Sequence, residues 1–186
     1  MAEAFLHPAP AALVAVGGRS GSGKSTLARA LAPAVGPVPG ALVLRSDLIR
    51  KSLFGAQPSE HLGPASYGAA ASAHVYATLV ERARAALLGG HAVIADAAFL
   101  RPDERTAIEA VAADVAVPFT GLWLEAGASV LTTRVQRRSG DASDAGASVV
   151  LDQLRLDPGP VEWQRLDASG AAPTVLAEAQ RRLALT

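Results

Sequence analysis

Residues 14–31 read VAVGGRSGSGKSTLARAL: an apolar run that stops at Gly17, glycines and serines clustered around one lysine, then a helical alternation. Few local patterns constrain a fold as tightly. Gly18, Gly23, Lys24 and Ser25 satisfy G-x-x-x-x-G-K-[ST]. The glycines let the backbone turn its N–H groups inward to form an anion nest. A helix starting near Lys24 adds its positive end. In such a loop the lysine reaches the β- and γ-phosphates and the Ser25 hydroxyl ligates Mg2+. The alternative is a Gly/Ser turn that merely matches the pattern. The position between a buried strand and a helix argues against that. Gly18, Ser20, Gly21, Ser22, Gly23, Lys24, Ser25 and Thr26 are the expected nucleotide-binding residues. No Asn-Lys-x-Asp guanine-reading segment occurs, so ATP is expected rather than GTP.

Five apolar runs read as strands: Ala11–Val16, Ala41–Leu44, Ala92–Ala95, Phe119–Leu124 and Glu162–Leu166. They are short and mostly not alternating, which suits a parallel sheet covered on both faces. A sixth run, Val35–Val38, is set aside because Pro33, Pro37 and Pro39 break it. Helical patterns separate the strands: Lys24–Leu31, Pro64–Leu88, Pro102–Ala113, Ser129–Arg138, Ala147–Leu154 and Pro173–Leu183. Strands alternating with helices predict an α/β three-layer domain. The polar stretch RSGDASDAG, residues 138–146, reads as an exposed loop between two helices.

The chain has 186 residues, a single-domain length that buries roughly 70% of its unfolded surface. Lys+Arg and Asp+Glu are both 17, so no nucleic-acid or membrane partner is expected from charge. There is no cysteine, which fits a cytoplasmic location. No apolar stretch approaches the roughly 20 residues of a membrane span. Residues 1–10 lack a signal-peptide pattern and read as a lead-in or linker to a domain over 11–186.

Asp47 and Asp96 each close an apolar strand, and ligands of parallel sheets bind outside the carboxyl ends of strands. Phosphoryl transfer needs a metal and a group that orients or deprotonates the acceptor hydroxyl. Asp47 is assigned as acceptor-side base, and Asp96, with Ser25, as magnesium ligand. Capping of a helix over Leu48–Ser52 is the alternative role for Asp47, and a strand-end turn that for Asp96. Arg134, Arg137 and Arg138 share one helix face, and arginines there neutralise charge on a transferring phosphoryl group. A solvated face paired with Asp141 and Asp144 is the alternative. On the acceptor side, Arg50 follows Asp47 by one helical turn and is expected to hold substrate, with Tyr67 beside it. His74 and Tyr76 read as packing residues, His61 and His91 as structural, and Trp123 and Trp163 as core.

The order VAVGGRSGSGKST, RSDLIRK, VIADAAF and LWLEAGASVLTTRVQRRSGDASDA resembles the small P-loop kinases of the AAA_33 group over nearly the whole chain. It is most similar to the ATP-binding half of proteins that fuse an aminoglycoside-phosphotransferase-like domain to a P-loop kinase-like domain. The resemblance implies a five-stranded parallel sheet in the order 2-3-1-4-5 with a lid at about 138–147. It puts Arg134 and Arg138 at the lid-arginine positions and makes MAEAFLHPAPAAL, residues 1–13, the junction. The expected activity is transfer of the γ-phosphate of ATP, with Mg2+, to a hydroxyl of a small acceptor. Two alternatives stay open: an ATP-binding regulatory module of a fused or partner domain, and a nucleic-acid 5′-kinase. The second is disfavoured by zero net charge and the plain Ala97 and Ala98.

Overall fold

The computed structural model describes residues 10–137 and 147–184. Strand β1 (Leu13–Gly18) is buried along all six residues because it runs through the middle of the sheet. Around it lie β2 (Leu42–Arg45), β3 (Val93–Asp96), β4 (Phe119–Glu125) and β5 (Gln164–Asp167). All pairings are parallel, in the order β2-β3-β1-β4-β5. This is the expected three-layer α/β fold. The strand order reverses at β1, and a crevice opens there at the carboxyl ends of the strands.

Successive residues of β1 point to opposite faces. Leu13 and Ala15 pack with Leu44, Val93 and Trp123 against helices α2 (Ser46–Leu53), α3 (Ala69–Leu88) and α4 (Pro102–Val115). Val14 and Val16 pack with Ile94 and Leu122 against α1 (Lys24–Leu31) and α7 (Ala172–Arg182). A third, smaller cluster joins Leu131 and Val135 of α5 (Ala128–Gln136) to Val150 of α6 (Ala147–Arg155). Among the described residues no helix is long and apolar enough to cross a membrane.

Where the elements differ from expectation, the reason is local. The long helix expected from Pro64 is a 3-10 turn over Pro64–Tyr67, and α3 starts only after Gly68. Gly68 has an extended backbone, which separates the two. The run Val35–Val38 forms no strand; a 3-10 turn, Ala32–Ala34, stands just before it. Trp163 precedes β5 instead of lying in it, and is buried all the same. Helix α4 opens as its sequence suggests, with Pro102 in the first turn and the Glu104 carboxylate accepting the Arg101 N–H.

Candidate active site

The loop after β1 is built around glycines that no other residue replaces. At Gly21 φ is 84°, and a Cβ there would stand 2.6 Å from the Leu131 carbonyl oxygen. At Gly18 φ is 132°, and a Cβ would stand 2.5 Å from the Leu124 carbonyl oxygen. The backbone therefore passes close to β4 and α5 and then enters α1 through Gly23. Lys24 Nζ donates to the Arg19 carbonyl oxygen at 3.0 Å, so the lysine folds over its own loop. Ser22 Oγ is buried and has no hydrogen-bond partner among the described residues. A loop with positive φ at Gly18, Gly21 and Gly23, a lysine over it and an unpartnered buried hydroxyl fits a polyphosphate.

Asp96 ends β3 beside this loop and is only 4% exposed. Burial pushes its carboxyl above the usual range, against the opposing pull of Lys24, a hydrogen bond from Ser25 and the Arg45 guanidinium. Arg45 Nε lies 3.3 Å from Asp96 Oδ2, an ion pair without hydrogen-bond alignment. Their strands pair in register, which fixes the two side chains side by side. Ser25 and Asp96 thus form a two-oxygen set next to the phosphate loop. Among the described residues no group of three His, Cys, Asp or Glu stands ready to hold a metal. A hydroxyl and one carboxylate suit Mg2+, which keeps waters and phosphate oxygens as its other ligands.

Two cavities flank the loop. The first, about 480 Å3, is lined by Gly23, Leu27, Leu124, Ala168, Val175 and Leu176 among others, and its wall is mostly apolar. The second, about 440 Å3, is lined by Ser20, Asp47, Arg50, His61, Tyr67 and Tyr76 among others. Asp47 sits in the first turn of α2, where Arg45 and not Asp47 is the N-cap residue. Arg50 is 8% exposed. Its guanidinium donates to the Ser66 carbonyl oxygen at 2.5 Å and to Ser72 Oγ at 3.4 Å, and lies 4.8 Å over the Tyr67 ring. It forms no ion pair with a carboxylate among the described residues.

Arg134 is tied to the turn after β5. Its guanidinium donates to the carbonyl oxygens of Ala168 (2.7 Å), Ser169 (3.2 Å) and Gly170 (2.9 Å), and it lines the first cavity. Three carbonyls at the turn between β5 and α7 outcompete solvent for a planar set of donors. Arg138, and the expected lid up to residue 146, lie outside the described residues. His61 lines the second cavity instead of serving the core. His74 is exposed on α3. Tyr76 packs edge-on against Phe99, 5.6 Å between ring centroids, but its hydroxyl also accepts the Phe99 N–H, and the residue lines the second cavity.

Three residues escaped the sequence reading. Arg105 is buried in α4, donates to the carbonyl oxygens of Phe99, Pro158 and Pro160, and lies over Trp123. Arg19 and Gln153 join the phosphate loop to α6. No spacing signals these contacts, because all the partners but Phe99 come from a remote stretch of chain.

The AAA_33 family model, an AAA domain, matches residues 13–158. The chain belongs to the AAA_33 family. An uncharacterised protein of Mycobacterium tuberculosis is 32% identical over an alignment of 178 residues that covers 91% of this chain and 34% of that protein. A Mycobacterium bovis protein matches equally well. The chain therefore spans about a third of the length of these curated relatives. Among solved structures, a gluconokinase from Sinorhizobium meliloti is similar at TM-score 0.63 and 25% identity, covering 94% of this chain and 92% of that one. A sugar kinase from a Janibacter species is similar at TM-score 0.65 and 22% identity, covering 95% and 96%. An APS kinase from M. tuberculosis, in complex with AMPPNP and APS, is similar at TM-score 0.61 and 22% identity, covering 96% and 98%. The AAA_33 fold here is that of the P-loop kinases.

Proposed function

We propose that this AAA_33 chain is an ATP- and Mg2+-dependent phosphotransferase that moves the γ-phosphate to a hydroxyl of a small-molecule acceptor. One observation carries the reading: the phosphate loop stands between an apolar cavity and a second one that holds the Asp47 carboxylate and the Arg50 guanidinium, which has no acidic partner among the described residues. Apolar walls around Leu27 and Leu176 suit a flat nucleobase, while Asp47, Arg50 and Tyr67 suit a hydroxylated acceptor carrying an anionic group. Ser25 and Asp96 would hold Mg2+, which would supply charge neutralisation. Lys24 leaves the Arg19 carbonyl to meet the β- and γ-phosphates. Asp47 orients the acceptor hydroxyl and takes its proton. Arg134 fixes the turn at residues 168–170 that closes the nucleobase side. Likeness to sugar, gluconate and APS kinases supports a small acceptor.

A second reading rests on length. Since the chain spans about a third of its curated relatives, it also suits an ATP-binding module that regulates the rest of a longer protein, such as an aminoglycoside-phosphotransferase-like domain. A nucleic-acid 5′-kinase has less support, because net charge is zero. We place the activity in the cytoplasm, where ATP is supplied. The test is transfer of label from γ-labelled ATP across sugars, sugar acids, nucleosides and aminoglycosides. One class is expected to take up label, and Asp47→Asn to slow that transfer by about 10²–10⁴-fold with ATP affinity kept. Failure of every class to be labelled or to stimulate ATP turnover favours the regulatory module.

A further inference from the structure

Gln153 lies on α6, far in sequence from the phosphate loop, yet its Oε1 accepts the Ser20 N–H at 2.7 Å. A backbone N–H only donates, so this contact decides which end of the amide faces the loop. The Nε2 amino group, with two donors, is turned away from Ser20. Among the described residues nothing accepts from it. The side chain lines the acceptor-side cavity with Ser20 and Asp47. The backbone carrying it is tied to the same loop. Arg19 Nε donates to the Gln153 carbonyl oxygen at 3.0 Å, and Nη2 donates to that of Leu156 at 3.1 Å. Both carbonyls belong to the last turn of α6 and the residue beyond it; that of Gln153 also accepts the Leu156 N–H. The Arg19 carbonyl in turn holds Lys24 Nζ. The lysine that reaches the outer phosphates and the amide of Gln153 are therefore anchored on adjacent loop residues.

We propose that Gln153 binds the γ-phosphoryl group: with Oε1 held by Ser20, its Nε2 donates to a non-bridging γ-phosphate oxygen where that group meets the acceptor. The assignment rests on the phosphotransferase reading and adds a residue to it. In the transfer the acceptor oxygen forms a bond to the γ-phosphorus. The bond from that phosphorus to the β–γ bridging oxygen breaks, ADP leaves with the electron pair, and the hydroxyl proton passes to Asp47. Gln153 gains and loses no proton. It supplies a neutral donor to oxygens that carry the charge. Arg19 is the positioning residue that holds it there.

Two variants separate this role from simple support of the loop. Gln153→Glu keeps an acceptor for the Ser20 N–H but removes the donors and sets a negative charge against the phosphate. Gln153→Ala removes both contacts. Mg2+ with AMPPNP, and separately Mg2+ with ADP, is titrated calorimetrically into the full chain and both variants. For Gln153→Glu, AMPPNP affinity is expected to fall about tenfold or more, while ADP affinity stays within about twofold. Gln153→Ala shows a smaller loss of the same kind. Wild-type affinity for AMPPNP in Gln153→Glu overturns the assignment, as does an equal loss of ADP and AMPPNP binding. In both cases the phosphotransferase reading survives. A wild-type chain that takes up neither nucleotide overturns that reading as well.

Discussion

Glu104 ties local structure to stability. Its carboxylate accepts the Arg101 N–H at the start of α4. Burial raises it above the usual glutamate range, outweighing the downward pull of the Arg101 N–H and of the Tyr76 hydroxyl. A carboxyl raised on folding contributes most below its ordinary value of 4.5 and loses that contribution as pH climbs through the raised value. Gln keeps an acceptor for Arg101 and carries no charge. The melting temperature of Glu104→Gln relative to wild type is therefore expected to be higher at pH 7 than at pH 4. A difference that stays constant, or reverses, across that range contradicts the account. At this scale the phosphate-loop motif was legible because it is made of immediate neighbours. The carbonyls that Arg134 meets at residues 168–170 were not, because spacing does not reveal what folds up beside a guanidinium.

Between elements, buried cations act as struts. Arg105 of α4 reaches Phe99 after β3 at 2.8 Å, and Pro158 and Pro160 before β5 at 2.7 and 2.9 Å. Its guanidinium lies 5.8 Å over the Trp123 ring of β4. Arg105→Ala removes donors from three carbonyls at once, and is expected to cost about 2–4 kcal/mol. For a chain of this size that lowers the melting temperature by roughly 5–15 °C. A shift within a degree in a thermal melt contradicts it. All five strands were legible from their apolar runs, yet each extends past its expected carboxyl end: β1 to Gly18, β2 to Arg45, β3 to Asp96, β4 to Glu125 and β5 to Asp167. These last residues are glycine or charged, so an apolar pattern stops before the hydrogen-bonded ladder does. The missed residues sit at the sheet edge facing the site. A polar site interrupts the same pattern that reveals the core beneath it.

For the molecule as a whole, the sheet order sets the geometry. Reversal at β1 opens the crevice, the phosphate loop fills its centre, and α1 with α7 on one side and α2 with α3 on the other shape the two cavities. The sequence pattern made the crevice legible and left its walls unread, since Gln153, His61 and Arg19 enter it through long-range closure of the chain. Phosphoryl transfer here depends on the loop at Gly18–Thr26 taking the triphosphate of ATP. Isothermal calorimetry of Mg2+-ATP against wild type and Lys24→Ala tests this most directly. The account predicts uptake of one equivalent by wild type, and binding weaker by about a hundredfold in Lys24→Ala, through loss of charge-assisted phosphate contacts. Absence of uptake by wild type, or equal affinity in the two proteins, would contradict it.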